Sequence, residues 1–570
     1  MRKLKLVSLA VSVCLANLIG AATVRAQWAD QRLAMFDKLM EREHQLAKLP
    51  HAAAAERGAW GNVAALAARW PLARPDFARM ALQGEPIEDW EFDPAAVRAA
   101  AAGGPISTEN LANTRLSGFT QNETASAWCG GHVVVTFNDT GAEVNTFEGS
   151  DGVSAIGAST SANKGSSYAY DGPPSPPTNV DQMIVGDPSV VCTNQSDFYY
   201  SATWWDGENV LTGVAMAAST NGGSSYGQPV VAISKDGFTH EIIKDALAID
   251  PANTGQVYIT YVDEDYSGTT CGDFPESDPN AGEPIPRYAI ELVYSTDGGT
   301  DWSAPAVIEE VCANDANPNA FVEGPSVAVG AASVVYVAYE TMGENGGQLT
   351  DRNIKIAVSS NEGASFATPT IVSSVNPVGD GADLQGLIQA AEYPSIAIGR
   401  GTHNFGYIYL AWDTATTEVN DILSTTGVYG FADILFSQSQ NGATTWSSPK
   451  RVNTNPEGGP NPYSDQFEPA IDTDKTGRIG ICYYDRHRDP NNFLIDRTCS
   501  SSTNNGASWT SKLYTKTNFP SVVGQDVLVA PDYFGDYDTV AVDKTNAASG
   551  FVDSFATSVG GHPNVSTNHF

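Results

Sequence analysis

Positive charge is scarce in this chain. It carries 31 Lys and Arg against 66 Asp and Glu, a net charge of −35, which repels nucleic-acid phosphates and anionic membrane faces and argues against both as partners. Cysteine is also rare, at 7 in 570 residues, and no two stand in a C-x-x-C spacing, which removes the common zinc and thiol-redox motifs. Long apolar runs are missing beyond the N-terminus, where a membrane span would need roughly 18 unbroken residues. What remains is a chain 42% hydrophobic with 21 Phe, 22 Tyr and 11 Trp, enough to build a large core and too rich in apolar residues for disorder.

Arg2, Lys3 and Lys5 precede an apolar run from Leu6 to Ala22, and Val24-Arg25-Ala26 supplies the small residues of a cleavage site. Residues 1–26 therefore read as a secretory signal peptide, and the protein as secreted, extracellular or periplasmic. A lipoprotein reading through Cys14 is weaker, because Val13 is a poor residue before a lipidated Cys. Past the leader stand six cysteines, Cys129, Cys192, Cys271, Cys312, Cys482 and Cys499, and an oxidising compartment turns an even number into three disulfides.

Charge splits the rest. Residues 27–115 hold 10 basic and 12 acidic residues, whereas 116–570 hold 17 and 54. In the first part Leu33, Phe36 and Met40, then Trp60, Val63, Leu66, Ala67 and Trp70, recur at helical spacing before Pro71 and Pro75, which predicts a small helical segment.

From 116 onward the pattern is all β, with short Val-, Ile-, Tyr- and Thr-rich strands between Gly, Asn, Asp and Pro clusters. One turn recurs six times: Ser161-Asn163-Gly165-Tyr168, Ser219-Asn221-Gly223-Tyr226, Ser295-Asp297-Gly299-Trp302, Ser359-Asn361-Gly363-Phe366, Ser439-Asn441-Ala443-Trp446 and Ser502-Asn504-Gly506-Trp509. The Asp or Asn serves to bond backbone N–H groups, the Gly to take positive φ, and the aromatic to pack between sheets. These turns resemble the Asp-box, or bacterial neuraminidase repeat, of sialidases and related β-propellers.

A second repeat runs out of phase, an acid opening a short apolar strand at Glu123, Asp187, Asp245, Glu323, Glu392, Glu468 and Asp536, separated by 64, 58, 78, 69, 76 and 68 residues. Periods of that size in an all-β chain indicate propeller blades. Seven are predicted, with six as the alternative. Too little chain follows Asp536 for a full blade, so a strand from about 116–122 is expected to close the ring and remove its edge. Cys129 and Cys192 end adjacent inner strands and Cys482 and Cys499 fall on successive strands of blade six, leaving Cys271 for Cys312.

The inner-strand starts, second-strand ends and third-strand starts share one face, called the top. Second strands end there in Asp139, Asp206, Asp263, Glu340, Asp413 and Asp485, and the long segments 264–288, 373–391, 414–430, 453–467 and 515–535 connect there too. Carboxylates interleaved with aromatics suit a glycan. Blade six adds Arg486, His487 and Arg488, while Arg287 and Arg352 open third strands; an Arg fork binds a sugar carboxylate bidentately. These five are the substrate-binding candidates. Glu468 and Asp485 are the candidate acid and base. The turns of Asp263, Glu264 and Asp265 and of Asp472 and Asp474 offer oxygen ligands that make calcium the one candidate ion; no organic cofactor is indicated.

The resemblance to sialidases implies a propeller hydrolase with three arginines on the sugar carboxylate, a Tyr–Glu nucleophile pair and an Asp acid/base. Tyr537, in Phe534-Gly-Asp-Tyr537-Asp-Thr-Val, resembles the late nucleophilic Tyr. The family's Phe-Arg-Ile-Pro segment is missing, no Arg lies between Arg115 and Arg287, and seven blades exceed the family's six. The combined expectation is a secreted, monomeric, sialidase-like glycoside hydrolase acting on an anionic or complex glycan. The alternatives are a polysaccharide lyase, with His487 as base, and a non-catalytic glycan-binding or adhesion propeller.

Overall fold

The computed structural model describes residues 110–111 and 120–570, apart from 143–151, 173, 175–176, 180, 277, 279, 315–319, 346–347, 380–382, 385–387, 421–427, 454–462, 490–491, 516–517, 520–532, 546–549 and 560–561. The expected signal peptide and the expected helices of 27–115 lie outside the described residues.

Seven sheets form a ring. Blades one to three run Gln121–Cys129 to Ala169–Gly172, Gln182–Cys192 to Val230–Asp236, and His240–Ile249 to Ala306–Cys312. Blades four to six run Phe321–Val329 to Thr370–Ser374, Ser395–Ile398 to Lys450–Arg451, and Gln466–Thr473 to Thr510–Leu513. Each has four antiparallel strands in chain order from the axis outward, and Val153–Ser154 adds a parallel strand inside blade two. The fold is therefore an all-β, seven-bladed propeller, and the six-bladed alternative falls.

Closure differs from the expectation in one respect. Blade seven takes Thr539–Val542, Phe551–Val559 and His562–His569, and its outermost strand is Asn110–Leu111, with Asn110 opposite Thr567 and Leu111 opposite Ser566. Residues 116–122 cannot serve, because Gln121 already begins the innermost strand of blade one.

Burial explains the strand composition. Middle strands such as Val257–Asp265 are buried along their whole length, since each blade packs on both neighbours, whereas the outermost strands Ala169–Gly172 and Thr510–Leu513 alternate exposed and half-buried residues. The six turns stitch blade to blade. In each, the Ser Oγ donates to the Asn or Asp side chain and accepts the N–H of the fourth residue, as in Gly299 N to Ser295 Oγ at 2.8 Å. Gly299 has φ +93, and a Cβ there would lie 1.9 Å from Met216 Cε of the preceding blade. Ala443 adopts the same left-handed conformation at φ 66. Three disulfides form in the expected pairing: Cys129–Cys192, Cys271–Cys312 and Cys482–Cys499.

Candidate functional site

The inner strands bulge where they reach the axis. Register shifts fall between Asn122 and Ala125, Gly186 and Ser189, Ile243 and Ala246, Glu323 and Ser326, and Phe467 and Ala470. At these bulges Glu123, Asp187, Lys244, Gly324 and Glu468 take φ of 50, 55, 54, 59 and 50. A left-handed residue inside a bulge re-aims its side chain. An alignment on acids pairs Asp245 with Glu123 and Asp187, but the backbone pairs Lys244 with them. Sequence reasoning missed this cation; the signal was the residue before Asp245, one position out of the acid register.

Lys244 is buried among acids. Its Nζ lies 3.2 Å from Glu123 Oε1 and contacts Asp536 Oδ2, and its backbone N–H donates to Asp187 Oδ2 at 2.9 Å. Tyr533 donates its hydroxyl to Glu123, and Asn138 Nδ2 donates to the other Glu123 oxygen at 2.6 Å. Burial pushes Glu123 up to about 7, with Lys244 opposing, and Asp536 up to about 6.

Farther round the ring, burial and then the charges of Asp538, Asp536 and Asp413 raise Glu468 well above the ordinary carboxylate range. Its Oε1 has no hydrogen-bond partner among the described residues. Asp538 accepts Thr124 Oγ1 at 2.8 Å and faces Arg497 Nη1 at 3.2 Å. Burial lifts Asp538 to about 7, with Arg497 opposing.

An axial cavity of about 840 Å³ reaches this cluster, and Lys244, Tyr393, Glu468, Asp536, Tyr537 and Asp538 line its upper end. Of the sequence candidates, then, Glu468 and Tyr537 are on this cavity's wall. The Tyr537 hydroxyl donates to the Pro188 carbonyl at 3.2 Å, and burial raises its pKa well above that of a free phenol.

The other candidates lie off that wall. Asp485 accepts from Gln466 Nε2 at 3.0 Å, Thr498 Oγ1 at 2.9 Å and the His487 ring at 2.7 Å. That last bond is the main cause of a raised His487 pKa. Arg486 is fully buried, with Nη1 3.5 Å from Asp465 Oδ2 and its guanidinium 5.5 Å above the Phe467 ring. Arg488 pairs with Asp496. Arg287 reaches Glu310, Asp263 and Glu291 at 2.7, 2.8 and 3.2 Å. Arg352 binds Glu340 at 2.9 Å and Glu392 at 2.5 Å.

The proposed calcium turns hold cations of the protein's own. Asp263 meets Lys235 at 2.7 Å, Asp472 meets Lys544 at 2.8 Å, and Asp474 meets Arg478 at 3.3 Å. Among the described residues the one cluster spaced for a metal is Cys482, Cys499 and Asp553, and its two thiols are joined to each other.

No protein-family model matches the chain, and no curated protein matches it. Solved structures with a similar chain trace include the Hadza microbial sialidase Hz136, at 13% identity and TM-score 0.36 over 68% of this chain and 65% of that one, just under two thirds of its length. An α-L-arabinanase from Penicillium chrysogenum, complexed with arabinobiose, has 10% identity and TM-score 0.43 over 82% and 98%. The leech intramolecular trans-sialidase has 10% identity and TM-score 0.38 over 67% of each chain.

Proposed function

We propose that the protein is a carbohydrate-active propeller, a glycoside hydrolase that takes its glycan in the axial cavity with Glu468 as proton donor. The observation that carries this reading is the Glu468 carboxyl: buried, with its pKa raised well above the ordinary carboxylate range, and with a buried Oε1 that has no hydrogen-bond partner among the described residues, in a residue that lines the cavity. A buried carboxyl whose pKa is raised is what protonation of a glycosidic oxygen requires. Asp538, at about 7, is poised as the base, because catalytic efficiency is greatest when the pKa lies near the working pH. Tyr393 and Tyr537 supply ring faces for the sugar, and Tyr537, engaged with a backbone carbonyl, acts by contact rather than as a phenolate.

The candidate arginines are committed to internal carboxylates, so they support the ring instead of a substrate carboxylate. An acid-rich wall favours a neutral sugar over an anionic one.

The experiment is a release assay over neutral and anionic oligosaccharides, reading new reducing ends, with wild type and Glu468→Gln. Release from a neutral glycan that is lost in the variant supports the proposal. Unsaturated uronate products would make the protein a lyase, and tight binding without release a glycan-binding module; either outcome overturns it.

A further inference from the structure

Among the described residues Asn110–Leu111 adds two residues to the outer edge of blade seven, and the seam between blades one and seven holds bonds such as Ser126 N to Thr539 Oγ1 at 2.6 Å and Lys544 N to the Trp128 carbonyl at 2.9 Å. Across the axis three side chains of cross-linking chemistry meet. Lys244 from blade three touches both Glu123 from blade one and Asp536 at the start of blade seven. Tyr533 joins the two acids, its hydroxyl donating to Glu123 and lying 3.4 Å from Asp536 Oδ2. The side chains of Lys244, Glu123 and Asp536 are 3%, 0% and 2% exposed.

We propose that Lys244 and Asp536 condense into an intramolecular isopeptide bond, with Glu123 as the proton shuttle. Glu123 takes a proton from the Lys244 ammonium, and the free amine attacks Asp536 Cγ. The new N–C bond forms, a second proton passes from that nitrogen to one Asp536 oxygen to make it a hydroxyl, and as the C–OH bond breaks Glu123 returns the first proton to it, so that it leaves as water. Ammonium and carboxylate thus become a neutral amide and one water; no oxidant or cofactor is consumed.

Two physical circumstances favour the step, against the cost of deprotonating Lys244, whose pKa the charges of Asp536, Glu123 and Asp187 raise well above the ordinary value in spite of burial. Neighbouring buried groups react with effective molarities that reach on the order of 10⁵–10⁸ M, which offsets the preference for hydrolysis in bulk water. The product also replaces two buried charges with one neutral group, removing a desolvation penalty. The bond would span 292 residues and tie blades three and seven where the two-residue strand does not.

Mass spectrometry decides the matter. The reduced, denatured wild-type protein is expected to weigh one water less than its sequence, and digestion to yield a branched peptide joining Lys244 to Asp536. The Glu123→Gln variant is expected at the full sequence mass. A wild-type protein of full mass, with Lys244 and Asp536 on separate linear peptides, overturns the proposal. So does a cross-link mapped from Lys244 to Glu123, or a cross-link that persists in Glu123→Gln. If that variant fails to fold, the wild-type peptide map decides alone.

Discussion

Arg497 of blade six grips Asp553 of blade seven through three hydrogen bonds, Nε to Oδ2 at 3.0 Å and to Oδ1 at 3.2 Å, and Nη2 to Oδ1 at 2.8 Å. Its third nitrogen faces Asp538 at 3.2 Å, and the guanidinium sits 4.6 Å from the Tyr484 ring. The Arg497 side chain has no exposure. Removing one partner of such a network leaves buried charge uncompensated, so Arg497→Ala should lose about 3–5 kcal/mol of stability, seen as a lowered melting temperature.

Arg486 leads to a contrasting expectation. Paired with Asp465 and stacked on Phe467, it supports blade six and does not line the cavity. Arg486→Ala should therefore lower the melting temperature while glycan affinity stays at the wild-type value. Calorimetric titration beside a thermal melt checks both, and a fall in affinity of tenfold or more at unchanged melting temperature would return Arg486 to the binding site.

Stability should decline with rising pH across a range where most proteins are indifferent. Burial raises Glu323 and Asp538 to about 7 and Glu392 to about 8. Each such group binds more protons folded than unfolded between its unfolded and folded values, so stability falls as pH rises through that window and levels off above it. The loss per group is on the order of 1 kcal/mol for every pH unit that separates the folded value from the unfolded one. Melting temperatures measured from about pH 5 to pH 8 should fall, and Glu392→Gln should flatten the slope.

The cross-blade disulfide should matter for stability. Cys129–Cys192 closes a separation of 63 residues between the ends of two inner strands, and replacing both with Ser should cost about 2–4 kcal/mol. Cys482 and Cys499, 17 apart, already face each other across paired strands, so the same change there should cost less. Thermal melts of the two double variants test the order.

Much of the architecture was legible because it repeats. The Ser-x-Asn turns and the acid-led strands each recur, so the blade count and the disulfide pairing followed from period alone. Closure was not legible, because Asn110–Leu111 is too short to show a strand pattern. The candidate site was only partly so. The sequence singled out Glu468 and Tyr537, which line the cavity, but Lys244 lay hidden beside Asp245, which the acid register selects. The arginine partners were unreadable because they come from distant chain, as Glu392 does for Arg352 and Asp553 for Arg497. In a domain this acidic, a basic run marks where buried carboxylates need neutralising.

The most direct measurement on Glu468 compares wild type with Glu468→Gln on two glycosides of one sugar, one with an alkoxide and one with an acidic phenol as leaving group. A proton donor contributes about 10²–10⁴ in rate where the leaving group needs protonation, and little where it departs unaided. With Glu468 as the acid, the variant should show that loss on the alkyl glycoside and near wild-type cleavage of the phenyl one. Equal loss on both substrates would contradict Glu468 as the acid.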